Sequence, residues 1–232
     1  MLNQPKKVKE PLYTKLSIKN PKIVDILNTT AELGLFDDTS LSKFKYESTD
    51  YESEAIKYCS IDFFKNTILS DPQTYGRQLQ EGWTGGGPIK HKKNGFASST
   101  PGGQYFIKSF EEITGLDLGD GSQPYGGFRS SVYNPDGFLS WHKDDGYGVY
   151  TIMLSYCVEE ADGFYRWMDK DTKEIHTEPD MPGWSCKSMV MIDEESSEWH
   201  TARSNTQKCS LVITFGDYAE FLKLKDLIQS DK

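Results

Sequence analysis

The chain has 232 residues, enough for one large domain or two small ones with a substantial buried core. Hydrophobic residues make up 36% and charged residues 26%, the balance of a soluble globular protein. The formal net charge of -9 leaves no basic footprint for duplex nucleic acid, so a nucleic-acid partner is disfavoured. The 13% share of aromatic residues favours an all-β core or a lined pocket over a helical bundle.

Neither a signal peptide nor a membrane span is recognisable in the sequence. No window approaches about 18 uninterrupted apolar residues, and the N-terminal lysine cluster lacks the apolar segment of a signal peptide. The four cysteines form no C-x-x-C pair, which favours buried, reduced thiols over disulfides or a zinc framework. We therefore expect a cytoplasmic protein without a membrane partner, and the oligomeric state stays unknown.

The first half of the chain carries helical patterns. Apolar residues recur at helical spacing over three stretches, which are 21–33, 53–70 and 104–115. Pro21 suits a first helical turn, and Gly34 and Gly115 are typical helix ends. We predict a helical N-terminal part, residues 1–120, that begins with a loose arm over residues 1–15.

A glycine-rich segment, residues 82–103, surrounds the basic patch Lys90-His91-Lys92-Lys93. It lacks the Gly-Lys-Ser/Thr ending of a phosphate-binding loop, which argues against nucleotide binding. We interpret it as a loop near the entrance of a site, with His91 solvated.

After residue 125 the pattern changes to short strands separated by turns. Alternation is clear over residues 128–133 and 149–158, and Asp162-Gly163 indicates a hairpin. Several short strands with turns between them indicate a sandwich or barrel. We predict a β core over residues 121–217 and a C-terminal helix within 218–232, packed with the N-terminal part as one structural unit.

The residues with the clearest chemistry are His142-Lys143-Asp144. Residues two apart on a strand point to the same face, so the imidazole of His142 and the carboxylate of Asp144 can converge on one point. Two histidines and one carboxylate are the ligand set of non-haem iron(II) oxygenases. His200, just before another strand, is the candidate third ligand. Asp145 is the alternative carboxylate, and both histidines could instead be ordinary core residues.

A cation follows the distal histidine. Lys208 lies eight residues after His200, and Ser210 lies on the same strand face. The ammonium group of the lysine and the hydroxyl group of the serine can therefore hold one carboxylate of a ligand. The hydroxyl of Tyr133 can join them, and Arg203 is a lesser candidate for the cation.

These motifs stand in the order Tyr133, His142-Lys-Asp144, Gly163, His200 and Lys208-Cys-Ser210. In this order residues 128–216 resemble the core of iron(II)- and 2-oxoglutarate-dependent oxygenases, notably the prolyl-4-hydroxylase-like branch. The resemblance implies a mainly β fold with flanking helices around a double-stranded β-helix, a cupin-like jelly roll. Two features depart from the pattern, because the cation lies closer to the distal histidine than is usual and the hairpin lacks a second glycine.

The resemblance also implies a ligand set and a reaction. His142, Asp144 and His200 would bind Fe(II), and the far carboxylate of 2-oxoglutarate would meet Lys208, Ser210 and Tyr133. Dioxygen would be the second cosubstrate, with ascorbate as an additional reductant. The implied reaction is hydroxylation of a carbon coupled to decarboxylation of 2-oxoglutarate to succinate, and a carboxylate at position 144 argues against a halogenase.

The substrate is indicated only by the branch of the family. A peptidyl proline or another amino-acid side chain comes first, a free small molecule second, and a nucleobase third because the net charge opposes it. Arg166 and Trp167, after the hairpin turn, are candidates to face the substrate, and packing is an equal alternative for Trp167. For Tyr150 and Arg129 ordinary structural roles are the safer interpretation.

Two other functions stay open. The same scaffold could be a non-catalytic binding protein that has kept the metal-site residues, since a fold alone does not fix a function. Zinc also accepts two histidines and a carboxylate. A zinc hydrolase, however, would leave Lys208 and Ser210 without a purpose, and no general-base motif lies nearby.

Overall fold

The computed structural model describes residues 13–36, 51–70, 89–93, 100–118, 127–133, 135–143, 150–160, 163–190 and 199–231, with backbone alone for residues 51 and 89–93. The helices of this part are α1 (Pro21–Leu33), α2 (Tyr51–Tyr58), α3 (Ile61–Phe63), α4 (Pro101–Thr114) and α5 (Tyr218–Gln229), and α3 continues into a π-helical segment, Phe64–Ile68. The strands are β1 (Tyr13–Leu16), β2 (Ile89–Lys93), β3 (Gly127–Tyr133), β4 (Gly137–His142), β5 (Tyr150–Cys157), β6 (Phe164–Met168), β7 (Ile175–Pro179), β8 (Gly183–Val190), β9 (His200–Ser204) and β10 (Lys208–Phe215).

The strands form two antiparallel sheets. The larger sheet has the order β1-β8-β5-β10-β3-β2, and the smaller has the order β4-β9-β6-β7. The eight strands β3 to β10 are thus divided equally between the two sheets, in the strand order of a jelly roll. This arrangement confirms the predicted fold class, a double-stranded β-helix with flanking helices.

Strict alternation along β5 and β10 gives the larger sheet two different faces. The apolar side chains of these strands, such as Leu154 and Leu211, pack in one core cluster with α1, α4 and α5 through residues such as Ile23, Phe106 and Phe221. The residues between them on the strands therefore point the other way, towards the smaller sheet. The helices thus fix which side chains line the interior.

The predicted helices are confirmed, with better-defined ends. In α1 the side chain of Asn20 accepts hydrogen bonds from the backbone N–H groups of Lys22 and Ile23 and caps the helix, and Gly34 follows its last residue. α4 starts at Pro101 and ends at Gly115, whose φ of 71° is the left-handed conformation that glycine adopts readily. The stretch predicted as one helix over residues 53–70 is divided into α2, α3 and the π-helical segment.

This divided helical region covers the outer face of the smaller sheet. Phe138 of β4 packs against Ala55 and Cys59, and Trp141 stacks on Phe64 with ring centroids 4.1 Å apart. The indole N–H of Trp141 also donates to the carbonyl oxygen of Ser60 at 3.0 Å. One role of the N-terminal helices is therefore to hold β4 from outside.

The two edge strands of the larger sheet were not predicted. β1 occupies residues interpreted as a loose arm, and β2 contains the basic patch that was interpreted as a loop, so both interpretations are wrong for these residues. β2 pairs with β3 in the register Lys90↔Val132. The N-terminal part is therefore not purely helical, and its boundary at residue 120 stays a prediction.

All four cysteines are buried and free, as predicted. Burial raises the pKa of the Cys59, Cys186 and Cys209 thiols to about 12, so they stay protonated near neutral pH. In the part of the chain that the structure describes, no helix has the length and apolar character needed to cross a membrane.

Gly102 sets the contact between α1 and α4, and we predict that Gly102→Ala destabilises the fold. A Cβ placed there would lie 2.5 Å from the carbonyl oxygen of Gly34 and closer still to that of Thr30. Because both are backbone atoms, the helices must separate, which should lower the free energy of unfolding by about 1–3 kcal/mol. Urea denaturation measures this loss. Lys108→Ala, an exposed site on the same helix, is the control, and equal stability of both variants would contradict the prediction.

Candidate active site

A break in the β4–β9 register turns His142 into the interior. Leu139 pairs with Ala202, whereas His142 pairs with His200, so three steps along β4 match two along β9. This is the geometry of a β-bulge, which re-aims the side chains that follow it. With Trp141 held outside by Phe64, His142 faces inwards on the same side as Leu139.

The two predicted histidine ligands lie side by side. The ring centroids of His142 and His200 are 4.2 Å apart, and the side chains are 8% and 7% exposed. Nδ1 of His142 lies 2.7 Å from the carbonyl oxygen of Ser140. As a carbonyl only accepts, Nδ1 carries the proton, and the lone pair of the neutral imidazole is on Nε2, where it can bind a metal ion.

The predicted carboxylate ligand, Asp144, and its alternative, Asp145, lie outside the described residues. Asp144 follows the end of β4 at His142 by two positions. Among the residues that the structure describes, no three His, Cys, Asp or Glu side chains surround a common point. The histidine pair is therefore the observed part of the predicted triad, and its carboxylate stays a prediction.

Aromatic rings of the smaller sheet continue from the histidine pair. Tyr165 stacks on His200 with centroids 5.6 Å apart, and Trp167 is the register partner of His200. Tyr13 of β1 reaches across and stacks on Trp167 at 3.9 Å, and His176 stacks on Trp167 at 5.3 Å. His176 belongs to β7 and packs on the site wall.

Lys208 is buried and already has a carboxylate partner. Both carboxylate oxygens of Asp180 lie 2.7 Å from its Nζ, and the two side chains are 2% and 8% exposed. The backbone N–H of Asp180 donates to the carbonyl oxygen of Gly163, and a Cβ at Gly163 would lie 2.5 Å from Oδ2 of Asp180. The pair lies near the start of β6, whereas Trp167, opposite His200, is near its end. Tyr133 pairs with Lys208 across the strands, and its ring centroid is 5.6 Å from Nζ.

Serine side chains occupy the next inward-facing position on four neighbouring strands. The registers Ser131↔Ser210, Ser210↔Ser155 and Ser155↔Ser185 place them in one row across the larger sheet. The hydroxyl oxygens of Ser155 and Ser210 are 3.2 Å apart. This serine row gives the interior a hydroxyl-rich surface, which suits a polar ligand better than an apolar core.

A second buried lysine, Lys187 of β8, borders the serine row on the side opposite to Lys208. Its register partner is Met153, two positions from Ser155 along β5. Its Nζ lies 3.8 Å from the ring centroid of Tyr165, and the side chain is 6% exposed. Burial, followed by the positive charge of Lys208, lowers the pKa of Lys187 to about 7.

The sequence-predicted residues therefore fall into two groups. His142, His200 and Trp167 lie at one end of the interior, and Lys208, Ser210 and Tyr133 lie along the larger sheet. Three others do not join them. Arg166 points outward and donates to the carbonyl oxygen of Cys59 at 2.6 Å, Arg203 pairs with Phe138 on the same outer face, and Tyr150 packs with Phe221 under α5.

Sequence reasoning missed Asp180 and Lys187. A single lysine between Cys186 and Met189 in a predicted buried strand was a signal, because a buried lysine needs a partner. Asp180 carried no signal, since its contact with Lys208 arises only when the two sheets face each other.

The fold and the paired histidines define a jelly-roll protein with a polar interior and a candidate metal centre at one end. No family model matches the chain, and no curated protein matches it.

Solved structures with similar folds were found. A prolyl-4-hydroxylase of Pseudomonas putida aligns with a TM-score of 0.44 and 11% identity, covering 87% of this chain and 90% of its own. A prolyl hydroxylase of Trichoplax adhaerens, in complex with a hypoxia inducible factor peptide fragment, aligns with a TM-score of 0.38 and 8% identity. The alignment covers 87% of this chain and 94% of that one. A dioxygenase for auxin oxidation in rice aligns with a TM-score of 0.40 and 12% identity, and the alignment covers 88% of this chain and 73% of that one. The TM-scores of these three structures lie below 0.5, so their likeness to this chain says nothing about its function.

We predict strong coupling between Lys208 and Asp180. Lys208→Met or Asp180→Asn alone leaves one buried group without its partner, which should lower the free energy of unfolding by about 3–5 kcal/mol. The double variant leaves no charge of this pair and should recover most of the loss. Urea denaturation of the four proteins measures the coupling, and strictly additive losses would contradict it.

The lowered pKa of Lys187 predicts a pH dependence of stability. Between about pH 7 and its ordinary pKa of 10.5, the unfolded chain holds a proton that the folded chain has lost. The free energy of unfolding of the wild-type protein should therefore rise with pH across this window, and this rise should be larger than that of the Lys187→Met variant. Denaturation of both proteins at pH 6, 8 and 10 tests this, and parallel pH profiles would disprove it.

Proposed function

We propose that the protein is an Fe(II)- and 2-oxoglutarate-dependent dioxygenase that hydroxylates a carbon. The observation that carries the proposal is the buried pair of His142 and His200 at one end of a polar jelly-roll interior. Substrate, dioxygen and 2-oxoglutarate would give hydroxylated substrate, succinate and carbon dioxide.

The residues present fit a metal ion. Two adjacent imidazoles are a common donor pair for first-row metals, and the bond from Nδ1 of His142 to Ser140 fixes one ring. Asp144, two residues past the end of β4, is the proposed third ligand. Such a set keeps coordination positions open for a 2-oxo acid and dioxygen.

When bound, iron(II) supplies the redox chemistry that couples decarboxylation of the 2-oxo acid to oxidation of the substrate. The protein supplies position and a shielded environment. Trp141, packed on Phe64, holds the bulge that points His142 inward, and the stacked ring of Tyr165 supports His200. Serine hydroxyls of the larger sheet can donate to a carboxylate of the cosubstrate.

The proposed cosubstrate site is the inner face of the larger sheet. Ser210 belongs to the serine row, Tyr133 lies across from Lys208, and two buried ammonium groups, Lys208 and Lys187, border the row. One of these two lysines would supply the cation for the far carboxylate, because a buried cation strengthens a charge-assisted hydrogen bond, and this favours a dicarboxylic acid.

For the substrate we propose an amino-acid-type molecule, either a peptidyl side chain such as proline or a free small molecule. This rests on the order of the motifs alone. Trp167, next to His200 in register, is the described residue best placed to contact it.

One observation favours the alternative of a non-catalytic binding protein. The predicted cosubstrate cation, Lys208, already holds the carboxylate of Asp180. Metal analysis of protein purified under reducing conditions with excess iron(II) separates the two functions, since the alternative expects no stoichiometric metal.

We predict that adding 2-oxoglutarate to the anaerobic iron(II) complex produces a weak visible charge-transfer band. His142→Ala and His200→Ala should abolish both this band and succinate formation, because each removes a metal ligand. Absorption spectroscopy and a succinate assay measure the two effects.

Two matched controls sharpen this test. His176→Ala removes an imidazole of the same sheet and should keep the band. Asp144→Ala should abolish it and Asp145→Ala should not, which decides between the two carboxylates. Unchanged turnover in the variants at His142, Asp144 and His200 would defeat the proposed function.

A further inference from the structure

The two buried lysines of the interior differ in their partners. Nζ of Lys208 meets both oxygens of Asp180, whose carboxylate lies against Gly163. A ligand carboxylate brought to the same ammonium would be placed near that of Asp180. Two like charges at close range disfavour each other, so Lys208 is poorly suited to accept a second anion.

Lys187 lacks such a partner. Among the described residues, no carboxylate lies within 4.0 Å of its Nζ. The two acidic residues around it are paired elsewhere, Asp180 with Lys208, and Glu178 with Lys15 at 2.8 Å and with the hydroxyl of Tyr13. Burying an ammonium without an anion is costly, which favours the neutral amine of Lys187 until an anion binds.

The position of Lys187 matches the reach of a cosubstrate at the histidine pair. Its Nζ is 3.8 Å from the Tyr165 ring centroid, which is 5.6 Å from that of His200, so Nζ lies within about 9.4 Å, their sum, of the imidazole. An extended five-carbon diacid spans about 5 Å between its end carbons. With one end on a metal, such a molecule can bring its other carboxylate to Lys187.

The surroundings of Lys187 offer hydroxyl donors and space. Ser185, two positions away on the same strand face, belongs to the serine row. A cavity of about 290 Å³ next to Lys187 is lined by residues of β1, of β8 and of the end of β7, among them Ser185 and Asp180, and neither His142 nor His200 lines it. Asp180 is held by Lys208, and Glu178 by Lys15, whose side chain is 66% exposed, so Lys187 is the buried cation of this lining without a direct contact to a described carboxylate.

Resting on the function proposed above, we propose that Lys187, and not Lys208, binds the far carboxylate of 2-oxoglutarate. Lys208 and Asp180 then form a structural ion pair near the start of β6, in which each charge neutralises the other. The cosubstrate cation is thereby moved from β10, where the sequence motif placed it, to β8.

The protonation of Lys187 gives an independent signature. The titratable groups facing it are Lys15 of β1, Lys208 of β10, Glu178 of β7, Asp180 after β7 and the neutral Cys157 thiol of β5. With a pKa of about 7, Lys187 is mostly neutral at pH 8, and a bound carboxylate would restore its charge. Binding of 2-oxoglutarate at pH 8 should therefore take up a fraction of one proton.

The test is calorimetric titration of the full chain, loaded with Mn(II) under argon, with 2-oxoglutarate and with 2-oxobutyrate, which lacks the far carboxylate. Lys187→Met should weaken 2-oxoglutarate binding about 10- to 100-fold and remove the preference over 2-oxobutyrate. Mn(II) affinity should be unchanged, and Lys187→Arg should restore part of the binding. The matched control is the double variant Lys208→Met/Asp180→Asn, which leaves no charge of that pair and should bind 2-oxoglutarate like the wild type.

Proton uptake is measured by repeating the titrations at pH 8 in buffers of different ionisation enthalpy, and it should vanish in Lys187→Met. Loss of binding in the double variant with full binding in Lys187→Met would overturn this inference and leave the dioxygenase proposal intact. Equal losses in both would also overturn it. A wild-type protein that binds Mn(II) but no 2-oxoglutarate would overturn the proposed function itself.

Discussion

The candidate site depends first on one irregularity, the β-bulge between Leu139 and His142. In a regular strand, residues three apart point to opposite faces, so an inward Leu139 would require an outward His142. The bulge lets both face inward, and it leaves Trp141 on the outer face, where it is fully buried against Phe64 and bonded to Ser60. An aromatic contact outside the sheet thus holds a ligand inside it. The helical segments of the first half of the chain are in this sense part of the site, although none of them supplies a predicted ligand.

The polar side chains in the interior of the jelly roll are arranged in regular rows. Hydroxyls of the serine row occupy one inward-facing row, and lysines occupy positions on either side of it. The interior between the sheets could have been filled with apolar residues instead. The outward face of the same strands, which packs against the helices, is filled in that way. Buried polar groups weaken a fold unless each is satisfied, so the pairing of Lys208 with Asp180 is needed for the interior to tolerate these two charges.

Much of this could be predicted from sequence because it depends on local periodicity. Alternation along β3 and β5 indicated the two faces of the larger sheet, and the ordered motifs predicted that His142 and His200 lie close together, as they do with ring centroids 4.2 Å apart. The bulge could not be predicted, since nothing in Leu139-Ser140-Trp141 distinguishes it from a regular strand. β1 was missed because its main contacts, such as that of Tyr13 with Glu178, join residues 165 positions apart. The partner of Lys208 was missed for the same reason, because two strands must face each other before Asp180 and Lys208 meet.

Charge balance connects the metal centre with the choice of cation. A divalent metal with one carboxylate ligand carries one net positive charge, and a dicarboxylic acid carries two negative charges. One further cation, and only one, makes the occupied interior neutral. If Lys208 were available as well as Lys187, one buried positive charge would be left over, at a large desolvation penalty. Asp180 removes that excess by neutralising Lys208. In the proposed function, the carboxylate that at first argues against a cosubstrate site would therefore let a site with two lysines bind a molecule that needs one.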